Sequence, residues 1–136
     1  GYVWYKGRVL KSWLYIDTRT RASAEFGWIS PAGHIKLWKV KPGAPGLMSS
    51  LAAKIKLHDL RGALGICLVS GPGSFSSVRM GALAANLLAD FGSLPLYALT
   101  AQEKFQVSQV PVLISGLKPV AYAPPIYDQE PNITIK

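Results

Sequence analysis

The sequence has little cysteine and little acidic charge. Cys67 is the single cysteine among 136 residues, and it lies in an apolar run. One cysteine forms neither an internal disulfide nor a cysteine-rich metal site, which favours a reducing compartment such as the cytoplasm. In that run Cys67 is expected to be a small buried hydrophobe. No apolar stretch approaches the roughly 20 residues of a membrane-spanning helix, because Gly, Ser, Arg and Asp interrupt each one.

Acidic side chains number seven against 15 Lys and Arg, which gives a formal net charge of +8. The excess is confined to residues 1–61, which hold eleven of the basic and three of the acidic side chains, so the remainder holds four of each. Such an excess is typical of attraction to nucleic acid or to an acidic partner. A solvated surface would explain the scattered charges equally well.

Alternating and apolar runs predict five strands. Trp13–Asp17, residues 23–30 and residues 34–40 are joined by short connections, as in an antiparallel meander. Residues 63–70 are apolar on both faces, which is typical of a buried central strand. Residues 94–100 form a further strand. With intervening helices, the order predicts an α/β layer arrangement with a mixed sheet and crossover helices.

Two helices are predicted between these strands. The first covers residues 47–57, and residues 58–62 follow it as a loop. The second covers residues 75–91, with Gly92 as its C-cap. A short helical piece is expected at residues 101–107. The section from Pro111 holds five of the ten prolines and is expected to be extended chain.

The second helix has few polar side chains. Between residues 78 and 91 its strongly polar members are Arg79, Asn86 and Asp90, so the helix is expected to be buried on two sides. One stripe is expected to cover the sheet: Met80, Leu83, Ala84, Leu87 and Phe91. The other is expected to face outward and to let a partner helix approach closely: Val78, Gly81, Ala82, Ala85, Leu88 and Ala89. The alternative is that the chain's own tail or its 47–57 helix covers this stripe.

A Gly-Pro-Gly turn precedes this helix, and a glycine-rich turn at a helix start can bind an anion. The candidate residues are Gly71, Gly73 and Ser74. The stretch lacks the lysine of a phosphate-binding loop and the complete dinucleotide fingerprint. The alternative is a tight strand-to-helix turn with Ser74 or Ser76 as N-cap.

Candidate catalytic groups do not assemble in the sequence. Asp17 ends a strand and is a candidate catalytic carboxylate, but no second acidic residue is evident, and a turn or capping role is the alternative. His34 and His58 lack metal-ligand spacing, and Ser74 has no recognisable His–Asp set. The sequence therefore predicts no catalytic residue, no metal and no cofactor.

Three stretches resemble the TsaB (YeaZ) family. They are YIDTRTRAS, the segment from Asp59 to Glu103, and PPIYDQEPNIT near the end. The central motif GPGSFSSVRMG keeps seven letters of the family pattern Gly-Pro-Gly-Ser-Phe-Thr-Gly-Leu-Arg-Ile-Gly, with three conservative changes. Arg19 stands where the family has serine, and Ser77 where it has glycine.

The resemblance implies the first half of an actin-like, ribonuclease-H-like fold, with the second domain largely missing. Residues 1–12 are expected to be an N-terminal extension, residues 13–104 a TsaB-like N-terminal domain, and residues 105–136 a vestigial second domain or C-terminal tail.

The resemblance also implies a cytoplasmic, non-catalytic subunit of the machinery that makes threonylcarbamoyladenosine on tRNA. Its partners would be a catalytic TsaD-like subunit and a TsaE-like ATPase, or a second copy through the same helix, with tRNA contacted indirectly and no membrane involved. The interface residues carried over are Val78, Gly81, Ala82, Ala85, Leu88, Leu47, Leu51 and Ile55. The competing classes are an actin-like ATP-dependent phosphotransferase or ATPase, and a small basic RNA-binding module that uses Arg19 and Arg21.

Overall fold

A five-stranded sheet organises the computed structural model, which describes residues 2–5, 8–20, 24–40 and 46–126. For residues 2–5 and 8–10 the description covers the backbone. The sheet is formed by β3 (Trp13–Asp17), β4 (Ala24–Ile29), β5 (Ile35–Val40), β6 (Gly65–Gly71) and β7 (Leu96–Thr100). β1 (Tyr2–Tyr5) and β2 (Arg8–Lys11) form a separate antiparallel pair.

The sheet has the order β5-β4-β3-β6-β7. β3, β4 and β5 form the predicted antiparallel meander, whereas β6 and β7 run parallel to β3. All seven residues of β6 are buried, which agrees with the prediction of a central strand that is apolar on both faces.

Helices cover both faces of this sheet. The helices α1 (Leu47–Lys54), α2 (Leu57–Arg61) and α3 (Phe75–Gly92) lie on one face, where they bury side chains such as Leu14, Ile66 and Leu68. On the other face, α4 (Val110–Ser115) packs its Val110 and Ile114 against a second cluster that contains Tyr15 and Cys67. Parallel strands need such cover on both faces.

Two local expectations are wrong. The segment expected to be a loop at residues 58–62 lies largely in α2, because Leu60 reaches the core from a short helix after the chain breaks at Ile55. The chain after Pro111 begins within α4 rather than as extended chain. Proline is tolerated in the first turn of a helix, and the spacing of Val110 and Ile114 buries both.

The expected helical piece at residues 101–107 is also wrong. This stretch is irregular and leads into a 3₁₀ turn at Val107–Gln109. Residues 116–126 are largely irregular, with a single bridge between Val120 and Leu96 of β7. Most of the C-terminal stretch PPIYDQEPNIT and the residue Arg21 lie outside the described residues. No helix in the described part of the chain is long and apolar enough to cross a membrane.

Candidate protein interface on helix α3

Helix α3 faces the sheet with its small residues. The buried members are Val78, Gly81, Ala82, Ala84, Ala85 and Ala89. Apart from Ala84, these residues were expected to face outward, so the predicted orientation of the helix is wrong. A helix that is apolar all round gives no directional signal, and the available space decides which stripe is buried.

The space beneath α3 is set by the contact between Gly81 and Thr18. A Cβ atom at Gly81 would overlap the Thr18 hydroxyl, which donates a hydrogen bond of 2.6 Å to the Ser77 carbonyl. The helix therefore lies so close to the end of β3 that only glycine fits at this position. Bulky side chains on this stripe would push the helix off the sheet.

The large side chains of α3 face outward instead. Met80, Leu83, Leu87 and Phe91 expose between 46% and 65% of their surface. They recur at three- and four-residue intervals and form one continuous apolar stripe. These four residues are called the outer stripe below. The prediction that they cover the sheet is wrong.

Two grooves border the outer stripe, the first at Met80 and Leu83 and the second at Phe91, and each has a volume of about 520 Å³. One lies between α3 and the segment 122–125, and it is lined by Arg79, Met80, Leu83, Asn86, Tyr122 and Pro125, among others. The other lies between α3 and the α1–α2 pair, and its lining includes Met48, Ile55, Leu57, Leu60, Leu88 and Phe91. The outer stripe is thus a ridge between two grooves.

The predicted interface residues are divided by this arrangement. Val78, Gly81, Ala82 and Ala85 are buried against the chain's own sheet. Leu47 and Leu51 belong to the same core. Leu88 and Ile55 are half-buried and line the groove between α1 and α3.

The lone polar side chain in the middle of α3 fixes the C-terminal segment. The Asn86 amide nitrogen donates to the Ala82 carbonyl at 2.7 Å and to the Ala123 carbonyl at 3.0 Å. Its oxygen accepts the Ala123 N–H at 3.0 Å. Ala123 is fully buried, so this clamp forms one wall of the first groove. The clamp was not predicted, although a single asparagine in the middle of an apolar helix is a feature of the sequence that could have indicated it.

The Gly-Pro-Gly turn brings three chain segments together. Gly71, with φ of +141°, lies against the Ile126 carbonyl, and a Cβ at Gly73 would come within 2.7 Å of the Arg19 carbonyl. The Ser74 N–H donates to that same carbonyl at 3.1 Å. Ser74 is the N-cap residue of α3, but its side chain makes no capping hydrogen bond. The glycines of this turn thus allow the three backbone segments to approach closely. The Ser74 amide, one of the candidate anion-binding groups, already donates to the Arg19 carbonyl.

Asp17 is held by its neighbours on and after β3. Its carboxylate accepts hydrogen bonds from the Tyr15 hydroxyl at 3.1 Å, from the Arg19 N–H at 3.1 Å, and from Arg19 Nε and Nη2 at 3.0 and 2.9 Å. The hydrogen bond to Asp17 raises the pKa of Arg19. Burial, and then the Asp17 charge, raises the pKa of Tyr15. The Arg19 guanidinium also lies 5.2 Å from the Phe105 ring centroid.

The remaining candidate ligands are dispersed. His34 lies in the turn before β5, His58 in α2, and Cys67 is buried in β6, where burial raises the pKa of its thiol. Within the described ranges, no group of three or more His, Cys, Asp or Glu side chains could hold a metal ion.

The sheet order and the helices on both faces define an α/β arrangement with a mixed sheet, which is consistent with a half-domain of an actin-like fold. No protein-family model matches the chain, and no curated protein sequence does. One solved structure that is similar to this chain is that of an uncharacterised protein with similarity to peptidase YeaZ from Pseudomonas aeruginosa. It has a TM-score of 0.54 at 21% identity, over 67% of this chain and 44% of that one.

YeaZ from Pseudomonas aeruginosa itself is also similar. Its TM-score is 0.51 at 20% identity, again over 67% of this chain and 44% of that chain. This chain thus matches less than half the length of either structure. At such identity the likeness shows a YeaZ-like fold and nothing finer.

Proposed function

We propose that this chain is a TsaB-type, non-catalytic subunit of the machinery that makes threonylcarbamoyladenosine on tRNA. It would bind a TsaD-like subunit through the outer stripe of α3. The observation that carries the proposal is the continuous exposed apolar stripe on the helix after the Gly-Pro-Gly turn. The sequence motif and the YeaZ-like fold support the choice of pathway.

The shape of the surface supports a helical partner. A ridge of large side chains between two grooves fits the ridge-and-groove pattern by which helices pack. Burying such a side chain completely contributes about 1.5 to 3 kcal/mol relative to full exposure, so a half-exposed one contributes roughly half as much. Contiguous exposed apolar patches typically mark interaction sites.

The same stripe could pair with a second copy of this chain, since a ridge between grooves can face its own symmetry mate. A TsaE-like ATPase would join the assembled complex. Contact with the tRNA is assigned chiefly to the partners, and the catalytic step to the TsaD-like subunit.

The surroundings of Asp17 support a non-catalytic role. A phosphotransferase of this fold would need a carboxylate here to bind a metal-linked phosphate. Both Asp17 oxygens instead accept hydrogen bonds from the Arg19 side chain. Calorimetry with Mg–ATP tests the phosphotransferase alternative, for which tight binding to the isolated chain is required.

Co-expression with the TsaD-like protein of the same organism tests the interface. A charge placed in an apolar contact costs several kcal/mol, so Leu87→Arg is expected to abolish co-purification. Val112→Arg is the matched control, because Val112 is 75% exposed on α4 at the opposite face of the sheet. Ala85 is fully buried, and Ala85→Arg would therefore report on folding rather than on the interface.

Equal retention of the Leu87→Arg and Val112→Arg variants would overturn the interface. Failure of the unmodified pair to co-purify would overturn the proposed partner. A molar-mass measurement of the chain alone distinguishes a second copy from a different partner.

A further inference from the structure

A third, smaller groove lies on the other side of α1. It separates this helix from the edge strand β5, has a volume of about 280 Å³, and has no part in the α3 surface. Its lining consists of Phe26, Trp38, Lys39, Ser49, Ser50, Ala53 and Lys54. This volume is slightly below the roughly 300 to 1,000 Å³ usual for ligand sites, so it would hold one small planar group.

Two aromatic rings form the floor of this groove. Phe26 and Trp38 are cross-strand partners on β4 and β5, and their ring centroids are 5.6 Å apart. Phe26 is buried, whereas Trp38 is half-buried. β5 is the outermost strand of the sheet in the described part of the chain, so no neighbouring strand covers the indole on that side. Part of the Trp38 indole therefore remains exposed in the groove beside α1.

Positive charge lies on two sides of the indole. Lys54, in the last turn of α1, lines the groove. The Lys36 ammonium lies over the Trp38 ring, 5.3 Å from its centroid, and so covers part of one face of the indole. Among the described residues the ion pairs are Arg19–Asp17 and Lys39–Glu25, and neither engages Lys36 or Lys54. In the sequence, residues 1–61 carry the whole net charge of +8.

We propose that this groove binds a single-stranded nucleic acid, with one unpaired base packed against Trp38 and the flanking phosphates near Lys36 and Lys54. A nucleotide offers a flat apolar face and an anion side by side, which is the combination that this groove complements. An acidic peptide would match the lysines but would leave the aromatic floor unused. The proposal goes beyond the interface function and does not depend on the partner of α3.

Fluorescence anisotropy with a labelled oligouridylate of about a dozen nucleotides tests the proposal on the full chain at low salt. The expected result is binding that weakens as salt rises, because phosphate contacts release counterions. Loss of one stacked base corresponds to about 1 to 3 kcal/mol. Trp38→Ala is therefore expected to weaken binding about 5- to 150-fold, whereas Trp38→Phe should retain most of the affinity.

Two variants that each remove one exposed positive charge separate an effect on binding from an effect on folding. Lys54→Gln and Lys118→Gln each remove one positive charge from an exposed site, but Lys118 lies close to β7, at the opposite edge of the sheet. Lys54→Gln is expected to weaken binding and to lower the salt dependence by about one phosphate contact, and Lys118→Gln to do neither.

Three results would overturn the proposal: equal effects of the two lysine variants, equally tight binding of a duplex of the same length, or equally tight binding of oligoglutamate. The Leu87→Arg variant is expected to bind the oligonucleotide normally. That result separates failure of this site from failure of the α3 interface.

Discussion

The Arg19 guanidinium and the Asp17 carboxylate form a two-point ion pair, with Nε donating to Oδ1 at 3.0 Å and Nη2 donating to Oδ2 at 2.9 Å. Both side chains are largely shielded from solvent. Hydrogen bonding between charged groups contributes about 1.5 to 3 kcal/mol, and we take this as the value for the pair as a whole because Arg19 is partly exposed. Arg19→Ser, which introduces the residue typical of the TsaB family, is expected to lower the free energy of unfolding by about that amount in urea titrations.

Lys39→Ala is the control for this prediction. Its pair with Glu25 spans 3.9 Å and Lys39 is mostly exposed, so its loss is expected to cost no more than about 1 kcal/mol. Equal losses for the two variants would show that the Asp17–Arg19 pair is no stronger than an ordinary surface pair.

Gly81→Ala tests the close approach of α3 to the sheet. Alanine favours a helix by about 1 kcal/mol over glycine. The new methyl group would nevertheless overlap the Thr18 hydroxyl, and overpacking costs about 1 to 3 kcal/mol. We expect the variant to have a lower melting temperature. In a Thr18→Ala background the same change should become neutral or stabilising, and a stabilising effect in the unmodified chain would contradict the packing described here.

Asn86→Asp tests the clamp on the C-terminal segment. Aspartate keeps the oxygen that accepts the Ala123 N–H but removes the donor to the Ala82 and Ala123 carbonyls. Native-state hydrogen exchange should become faster at Ala123 and at Ile126, whose N–H donates to the Ser70 carbonyl. Amides in the centre of β6 serve as the reference. Equal acceleration of exchange in the C-terminal segment and in the centre of β6 would indicate global destabilisation instead.

The burial of Cys67 predicts that the free energy of unfolding falls at alkaline pH. Burial raises the pKa of its thiol in the folded chain above the unfolded value. The corresponding stability is present below the unfolded pKa, near 8.5, and is lost as pH rises beyond it, by about 1.4 kcal/mol per pH unit. The pKa of Tyr15 is also raised in the folded chain, so its contribution to stability is lost in the same direction, above about pH 10.

The Cys67→Ala variant separates these two contributions. Its free energy of unfolding should begin to fall only near pH 10, where Tyr15 ionises in the unfolded chain, whereas the unmodified chain should decline from about pH 8.5. At neutral pH a thiol reagent should modify Cys67 only in denaturant. Fast labelling of the native chain would contradict the burial of this residue.

Much of the sheet was predictable because strand patterns depend on neighbours along the chain. The alternation in β4 and β5 and the apolar run in β6 indicated both the meander and the central parallel strand. The apolar pattern of residues 75–91 predicted α3, and the resemblance of the Gly-Pro-Gly motif suggested the actin-like half-fold, with which the YeaZ-like neighbours agree.

The orientation of α3 was not predictable from its own residues. Both of its stripes are apolar, so the choice between them depends on Thr18, which is 63 residues from Gly81 in the sequence. The pairing of Asp17 with Arg19 was missed for a different reason. Arg19, two residues after the strand-end aspartate, was interpreted as a departure from a family pattern and as a candidate RNA contact, although it is close enough to bind the carboxylate.

The outer stripe has a consequence for the colloidal behaviour of the unpartnered chain. Four large apolar side chains in a continuous exposed row favour self-association, and the net charge of +8 opposes it by repulsion between molecules. Salt weakens that repulsion, since the screening length falls from about 30 Å at 0.01 M to about 8 Å at 0.15 M. A chain that stays dispersed in dilute buffer would then cluster as ionic strength rises, so the buffer chosen for purification decides how much of α3 remains available for a partner.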